Sequence, residues 1–223
     1  MALQNFIVFE GIDGAGTTTQ LDILRNRTDF LKLNKDRVCF TAEPTSSPTG
    51  KYIRTMLKGD VKLQSETAAF LFSADRNEHI NGELVMENDR TLVTGVKKAC
   101  EEGRLVISDR YFFSSLAYQS IDSGWALPSM LNSTLPLTQL LFYFEIEPEV
   151  SLKRITGRGF TEIYEKESFL KKTVIQYHKA LEEYSKPEKN DGMKVIILDA
   201  TRPKEEISTI IWNEIKKLPI IQG

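Results

Sequence analysis

Residues 10–20 read EGIDGAGTTTQ. Gly11, Gly14 and Gly16 lie between an apolar run and the start of a helical pattern. A glycine turn in that place aims backbone N–H groups at one point, and the helix N-terminus adds positive potential there. The chemistry this suits is the binding of a phosphate. The pattern G-x-x-x-x-G-K-[ST] describes such loops, with its lysine reaching the β- and γ-phosphates and its hydroxyl residue on Mg²⁺. Gly11, Gly16 and Thr18 meet it, but the lysine position holds Thr17. A second piece, LVISDR, ends an apolar run on Asp109. That is the layout of an acidic residue beside Mg²⁺ at a phosphate-loop site. Arg110 follows at once, where the C-terminal edge of a strand opens into a ligand crevice. Thr18 and Asp109 are therefore the candidate metal ligands.

These residues need a sheet to hold them. Phe6 to Phe9 is a short continuous apolar run, as in a strand buried on both faces. Arg37–Thr41, LVISD, LLFYFEI and MKVIILDA read as four further strands. Helical patterns alternate with them. Thr18 to about Leu33 carries Leu21, Leu24 and Leu31 on one side, and KYIRTMLKG is a short helix ended by Gly59. Ser65 to about Ile80 is a helix that Ser65 is expected to cap, with Ala69, Leu71 and Phe72 inside. Leu92–Glu102 is ended by Gly103 as a left-handed residue. Ser114–Ser120, EPEVSLKRI with Pro148 in its first turn, Phe169–Tyr184 and Glu205–Lys217 complete the set. The segment NGELVMENDR, residues 81–90, reads as a hairpin or a surface insertion. Strands alternating with helices predict an α/β fold: a five-stranded parallel sheet covered by helices on both faces.

The bulk numbers agree. A chain of 223 residues suits one domain, residues 1–223. A net charge of −2 gives no global attraction to nucleic acid or to an anionic membrane, so any phosphate must be gripped by local charges. Neither a signal layout nor an apolar stretch of membrane-spanning length is present, and a cytoplasmic protein is expected. Cys39 and Cys100 form no metal-ligand pattern and read as reduced, buried hydrophobes.

The pieces FEGIDGAGTTTQ, EPTSSPTGKYIR, FLFSADRNEH, SDRYFFSSLAYQ and ILDA occur in that order across nearly the whole chain. In them the chain resembles the thymidylate kinases, which transfer the γ-phosphoryl of ATP to dTMP with Mg²⁺. The resemblance implies the P-loop kinase fold with a short lid at about residues 154–165, and a homodimer paired through helices near the acceptor site. It implies that Gly11, Gly14, Ala15, Gly16, Thr17, Thr18 and Thr19 hold ATP. Arg54 and Arg110 would grip the acceptor phosphate, a role that guanidinium forks suit. Phe72 would stack on thymine, Arg76 would hydrogen-bond the base edge, and Asp13 would sit near the sugar and phosphates. Glu43 and Pro44 would shape the acceptor pocket, and Tyr118 would lie against the sugar at the 2′ position. Ser114, Ser115 and Gln119 would form the same wall. His79 is read as structural, because an acceptor phosphate is already an anion and needs little proton abstraction.

The resemblance also defines two departures. Gly14 and Ala15 put no arginine inside the loop, so the charge would come from the lid, with Arg154 and Arg158 as candidates beside Asp13 and Arg110 in the catalytic set. Family lids carry an arginine just before the aromatic-Glu pair, yet Ile163 precedes Tyr164 and Glu165. Two positive charges are thus missing, at Thr17 and Ile163. Lys51, Lys153 or Lys166 are candidates to replace them. Two alternatives stay open: a nucleotide-binding relative with weak or no catalysis, and a kinase for another deoxynucleoside monophosphate.

Overall fold

The computed structural model describes residues 1–27, 37–82, 95–156 and 163–222. Five strands form one sheet in the order β2-β3-β1-β4-β5: β1 Leu3–Gly11, β2 Val38–Ala42, β3 Leu105–Asp109, β4 Thr138–Glu145 and β5 Lys194–Asp199. Every pairing is parallel. β1 lies at the centre, and Phe6, Ile7, Val8 and Phe9 are fully buried. Successive strand residues point to opposite faces, so four buried in a row require cover on both sides. The expected α/β architecture holds.

The register places the strand ends together. Phe9 is level with Asp109 and Phe142, and Ala42 is level with Asp109. The loops after β1, β2 and β3 therefore leave the sheet at one edge. β5 is less buried than its apolar sequence suggests: Ile197 is 58% exposed. It is the outer strand next to β4.

The helices are α1 Thr17–Arg25, α2 Pro48–Leu57, α3 Ser65–Asn81, α4 Val96–Glu101, α5 Phe112–Tyr118, α6 Ser120–Ser123 and α7 Ala126–Leu131. After β4 come α8 Pro148–Ile155, α9 Glu167–Ser185 and α10 Pro187–Asn190, and after β5 come α11 Lys204–Ile215 and α12 Pro219–Gln222. Leu21 and Leu24 are buried on α1 as expected, while Leu31 lies outside the described residues. Gly59 and Gly103 both have positive φ, as their stop positions require.

Two local expectations are corrected. Ser65 does not cap α3: Gln64 has the extended backbone of an N-cap (φ −65°, ψ 148°), so Ser65 is already in the first turn, and its hydroxyl donates to Glu66. The helix expected at Ser114–Ser120 begins at Phe112 and gives way at Gln119 to a second short helix. For residues 81–90, Asn81 ends α3 and Gly82 follows it, and residues 83–90 lie outside the described residues.

α2 is fixed at its start by Ser47, whose side chain accepts from the Gly50 N–H at 3.2 Å, and by Pro48 in the first turn. Ile53, Met56 and Leu57 of α2 pack on Ala68 of α3, with Leu71, Phe72 and Tyr164 around them. This small apolar cluster, apart from the main core, sets Arg54 and Phe72 relative to the sheet edge. Cys39 and Cys100 are buried and not joined in a disulfide. Among the described residues no helix is long and apolar enough to cross a membrane.

Candidate active site

The loop after β1 turns on two left-handed glycines, Gly14 (φ 79°) and Gly16 (φ 100°). A Cβ on Gly14 would stand 2.7 Å from the Ser151 carbonyl oxygen of α8, so only glycine lets the loop lie against that helix. The Ser151 hydroxyl donates to the Asp13 carbonyl and fastens the two together. Gly16 is the N-cap of α1 and brings no side-chain acceptor to the first turn. The N–H groups of an uncapped helix start suit an anion. They face a cavity of about 760 Å³ lined by residues 12–20, with Glu43, Pro44, Asp109 and, among the described residues, five cations: Arg54, Arg110, Arg154, Arg202 and Lys204.

Thr18 and Asp109 meet, the hydroxyl donating to Oδ2 at 3.0 Å. The other carboxylate oxygen, Asp109 Oδ1, is buried and has no hydrogen-bond partner among the described residues. An orphaned buried anionic oxygen is costly unless a cation or donor reaches it. Beside a phosphate loop it fits Mg²⁺, which binds through one or two carboxylates and fills its octahedron with phosphate oxygens and water. The described residues contain no cluster of three or more His, Cys, Asp or Glu side chains that could hold a metal ion.

A second, smaller cavity of about 60 Å³ adjoins the first. Its lining includes Phe72, Arg76, Ser114, Tyr118, Gln119 and Tyr164. Asp13, Glu43, Pro44, Leu57 and Arg110 line both cavities. Arg110 sits at the junction with φ 73°, a backbone state unusual for a side chain of its size. Its Nη2 donates to Asp13 Oδ1 at 2.6 Å, and Nη1 donates to the Gly11 carbonyl at 2.9 Å and Ser114 Oγ at 3.1 Å. Tyr118 lies under the guanidinium at 5.4 Å, and burial raises its phenol well above the ordinary range. Arg76 is buried, with Nε on Glu43 Oε2 and Nη1 on Asn132 Oδ1, both at 2.7 Å. Glu43 Oε1 also pairs with His79 Nδ1 at 2.9 Å, while His79 Nε2 meets Thr41 Oγ1 at 2.7 Å. His79 is fully buried and serves this network, as read from the sequence.

The structure corrects one placement, that of Ser115. Ser115 lines neither cavity: it is buried, and its hydroxyl has no hydrogen-bond partner among the described residues. One residue along α5 from Ser114 is a turn of about 100°, and that carries it into the core. Arg54 lines the larger cavity only, with a guanidinium hydrogen bond to the Pro44 carbonyl. The candidate lysines Lys51, Lys153 and Lys166 do not line the larger cavity, whereas Arg202 and Lys204, just after β5, do. Arg154 reaches the loop, with Nη1 3.4 Å from the Gly14 carbonyl and Nη2 2.8 Å from that of Ala200. Arg158 and residues 157–162 of the expected lid lie outside the described residues. Ile163 donates its N–H to the Leu57 carbonyl at 3.0 Å.

The family model described as "Thymidylate kinase" matches residues 9–211. The chain belongs to the thymidylate kinase family. A "Putative thymidylate kinase" of Treponema pallidum (strain Nichols) is 39% identical over 209 residues, covering 93% of this chain and 91% of that one. A "Probable thymidylate kinase" of Methanocaldococcus jannaschii is 34% identical over 218 residues, covering 96% and 97%. One of Methanococcus vannielii, with the same description, is 33% identical over 221 residues, covering 98% and 100%. These matches span 93% or more of this chain and 91% or more of each relative, and the family model's span includes the residues that line both cavities.

Sequence reasoning missed Glu10, Tyr177, Asn132 and the buried Asp75. Asp75 takes the Thr45 N–H at 2.7 Å and the Ser47 hydroxyl at 2.8 Å, and so ties the Pro44 loop to α3. The one signal on offer was Glu10 itself, a carboxylate inside the apolar run FIVFEG. A buried acid needs partners.

Proposed function

We infer that this protein transfers the γ-phosphoryl group of ATP to dTMP, giving ADP and dTDP. The observation that carries the reading is the meeting of two cavities at Asp13 and Arg110. One side is a glycine cradle rich in cations. The other is a slot with an aromatic wall and polar groups for a base.

In this reading the N–H groups of Gly14–Thr19 bind the donor phosphates. Thr18 and Asp109 hold Mg²⁺, which would neutralise charge on the donor phosphate oxygens. Phe72 stacks on thymine, with Arg76 and Gln119 on the base edge and Tyr118 against the sugar. Arg54 and Arg110 hold the acceptor phosphate in line with the donor. Phosphoryl transfer depends on such positioning and on neutralising spread charge. Charge that Thr17 and Ile163 do not supply comes from Arg154, in the manner of a lid-arginine enzyme, and from the other cations of the cavity. The chain works as one domain in the cytoplasm and as a homodimer; sedimentation at a single-chain mass would contradict the dimer.

Arg110→Ala tests the acceptor assignment. The expected result is a KM for dTMP raised at least tenfold, with KM for ATP within about twofold, since loss of a charge-assisted hydrogen bond exceeds about 1.5 kcal/mol. Equal loss for both nucleotides would contradict it.

A further inference from the structure

Glu10 ends the apolar stretch of β1 and is fully buried, yet it lines neither of the two cavities. Its carboxylate accepts four hydrogen bonds. Oε1 takes the Tyr111 N–H at 2.7 Å and the Ser114 N–H at 3.2 Å. Oε2 takes the Ser114 hydroxyl at 2.7 Å and the Tyr177 hydroxyl at 2.9 Å. Two of these donors are backbone groups at the start of α5, where Tyr111 as N-cap supplies no side-chain acceptor of its own. A carboxylate from the neighbouring strand thus does what a capping side chain does elsewhere.

The same partners hold Arg110. Its Nη1 points to Ser114 Oγ at 3.1 Å and to Tyr177 OH at 3.3 Å, both of which also bond Glu10. Its backbone stands at φ 73° between the residues that Glu10 ties down, with its N–H on the Phe9 carbonyl at 2.8 Å. A non-glycine residue keeps such a conformation only where its surroundings over-determine it.

We propose that Glu10 is a positioning residue for acceptor binding: through Ser114, Tyr177 and the start of α5 it fixes the guanidinium of Arg110 at the junction of the two cavities. This rests on the reading of Arg110 as a residue that holds the acceptor phosphate. Among the described residues, the titratable and charged groups that act on Glu10 are Arg110, Tyr177 of α9 and Tyr143 of β4, and Asp13 faces it across Arg110. Burial holds both phenols neutral. Burial also pushes the Glu10 carboxyl up to about 7, against the opposing pull of Arg110 and of its hydrogen bonds. Only the ionised form can accept all four bonds and face Arg110 as an anion. The clamp is complete above pH 7 and loosens as pH falls through it.

The test is steady-state kinetics of Glu10→Gln beside wild type and Arg110→Ala at pH 8 and pH 6. At pH 8 the amide raises KM for dTMP at least tenfold and leaves KM for ATP within twofold. At pH 6 wild type is itself largely protonated, and the ratio of the two KM values for dTMP shrinks to about threefold or less. The acceptor phosphate's own second ionisation, near 6, affects both proteins and cancels in that ratio. Glu10→Asp restores part of the loss at pH 8. A ratio unchanged between the two pH values, or equal rises for both nucleotides, overturns the proposal. Should Glu10→Gln not fold, Tyr177→Phe removes one donor to the carboxylate and moves the pH-dependent limb of KM upward. An unmoved limb overturns it. If Arg110→Ala also spares dTMP binding, the acceptor reading itself has failed; if Arg110→Ala is selective and Glu10→Gln is not, only the positioning role has failed.

Discussion

Thr17 occupies the place of a lysine that would deliver one point charge to the donor phosphates. Removing a single well-placed electrostatic donor typically costs about 10²–10³ in turnover. Here Arg54, Arg110, Arg154, Arg202 and Lys204 all line the same cavity, so part of that charge has other sources. Thr17→Lys is therefore expected to raise kcat by about tenfold, less than the full effect of such a donor. A rate unchanged or lowered would mean that the surrounding cations already fill the role. The residues that bear on this were unequally legible. Thr18 and Asp109 were readable because each sits at a fixed offset from a strand end, and their hydrogen bond follows from the register of β1 with β3. Arg202 and Lys204 were not, since they lie far along the chain and reach the loop only because β5 completes the same sheet.

At the scale of elements, the loop between β2 and α2 decides how the acceptor side is built. It carries Glu43 and Pro44 and leads into a helix whose Gly50 lies directly against the Thr45 backbone. A Cβ there would collide with the Thr45 carbonyl oxygen, and that backbone is held by Asp75. Gly50→Ala should therefore shift α2 and with it Arg54, costing about 1–3 kcal/mol or more in stability, as overpacking does. Chemical denaturation would measure it, and a midpoint equal to wild type would contradict the argument. The strands were legible in the sequence because continuous apolar runs have few other uses. Helix starts were less so. Ser65 looks like a cap, but the extended residue is Gln64, and sequence does not tell which neighbour takes the extended backbone. The left-handed Arg110 was beyond reach, because nothing in an arginine's type announces positive φ; the Glu10 network that surrounds it is tertiary.

For the molecule as a whole, an overall charge of −2 coexists with a cavity lined by Arg54, Arg110, Arg154, Arg202 and Lys204, so phosphate binding is local and built by the sheet edge. The order β2-β3-β1-β4-β5 is what brings three strand ends and the residues after β5 to one side. That much of the site was readable, since the pieces quoted from the sequence are the ones that meet there. The whole site is arranged for one reaction. Purified protein given ATP and Mg²⁺ with dTMP, dUMP, dCMP, dAMP or dGMP in turn tests it most directly, with both products measured. The expected result is ADP and dTDP in equal amounts, with kcat/KM highest for dTMP and activity lost when Mg²⁺ is chelated. No product above background at high enzyme, or a clear preference for another acceptor, would contradict it.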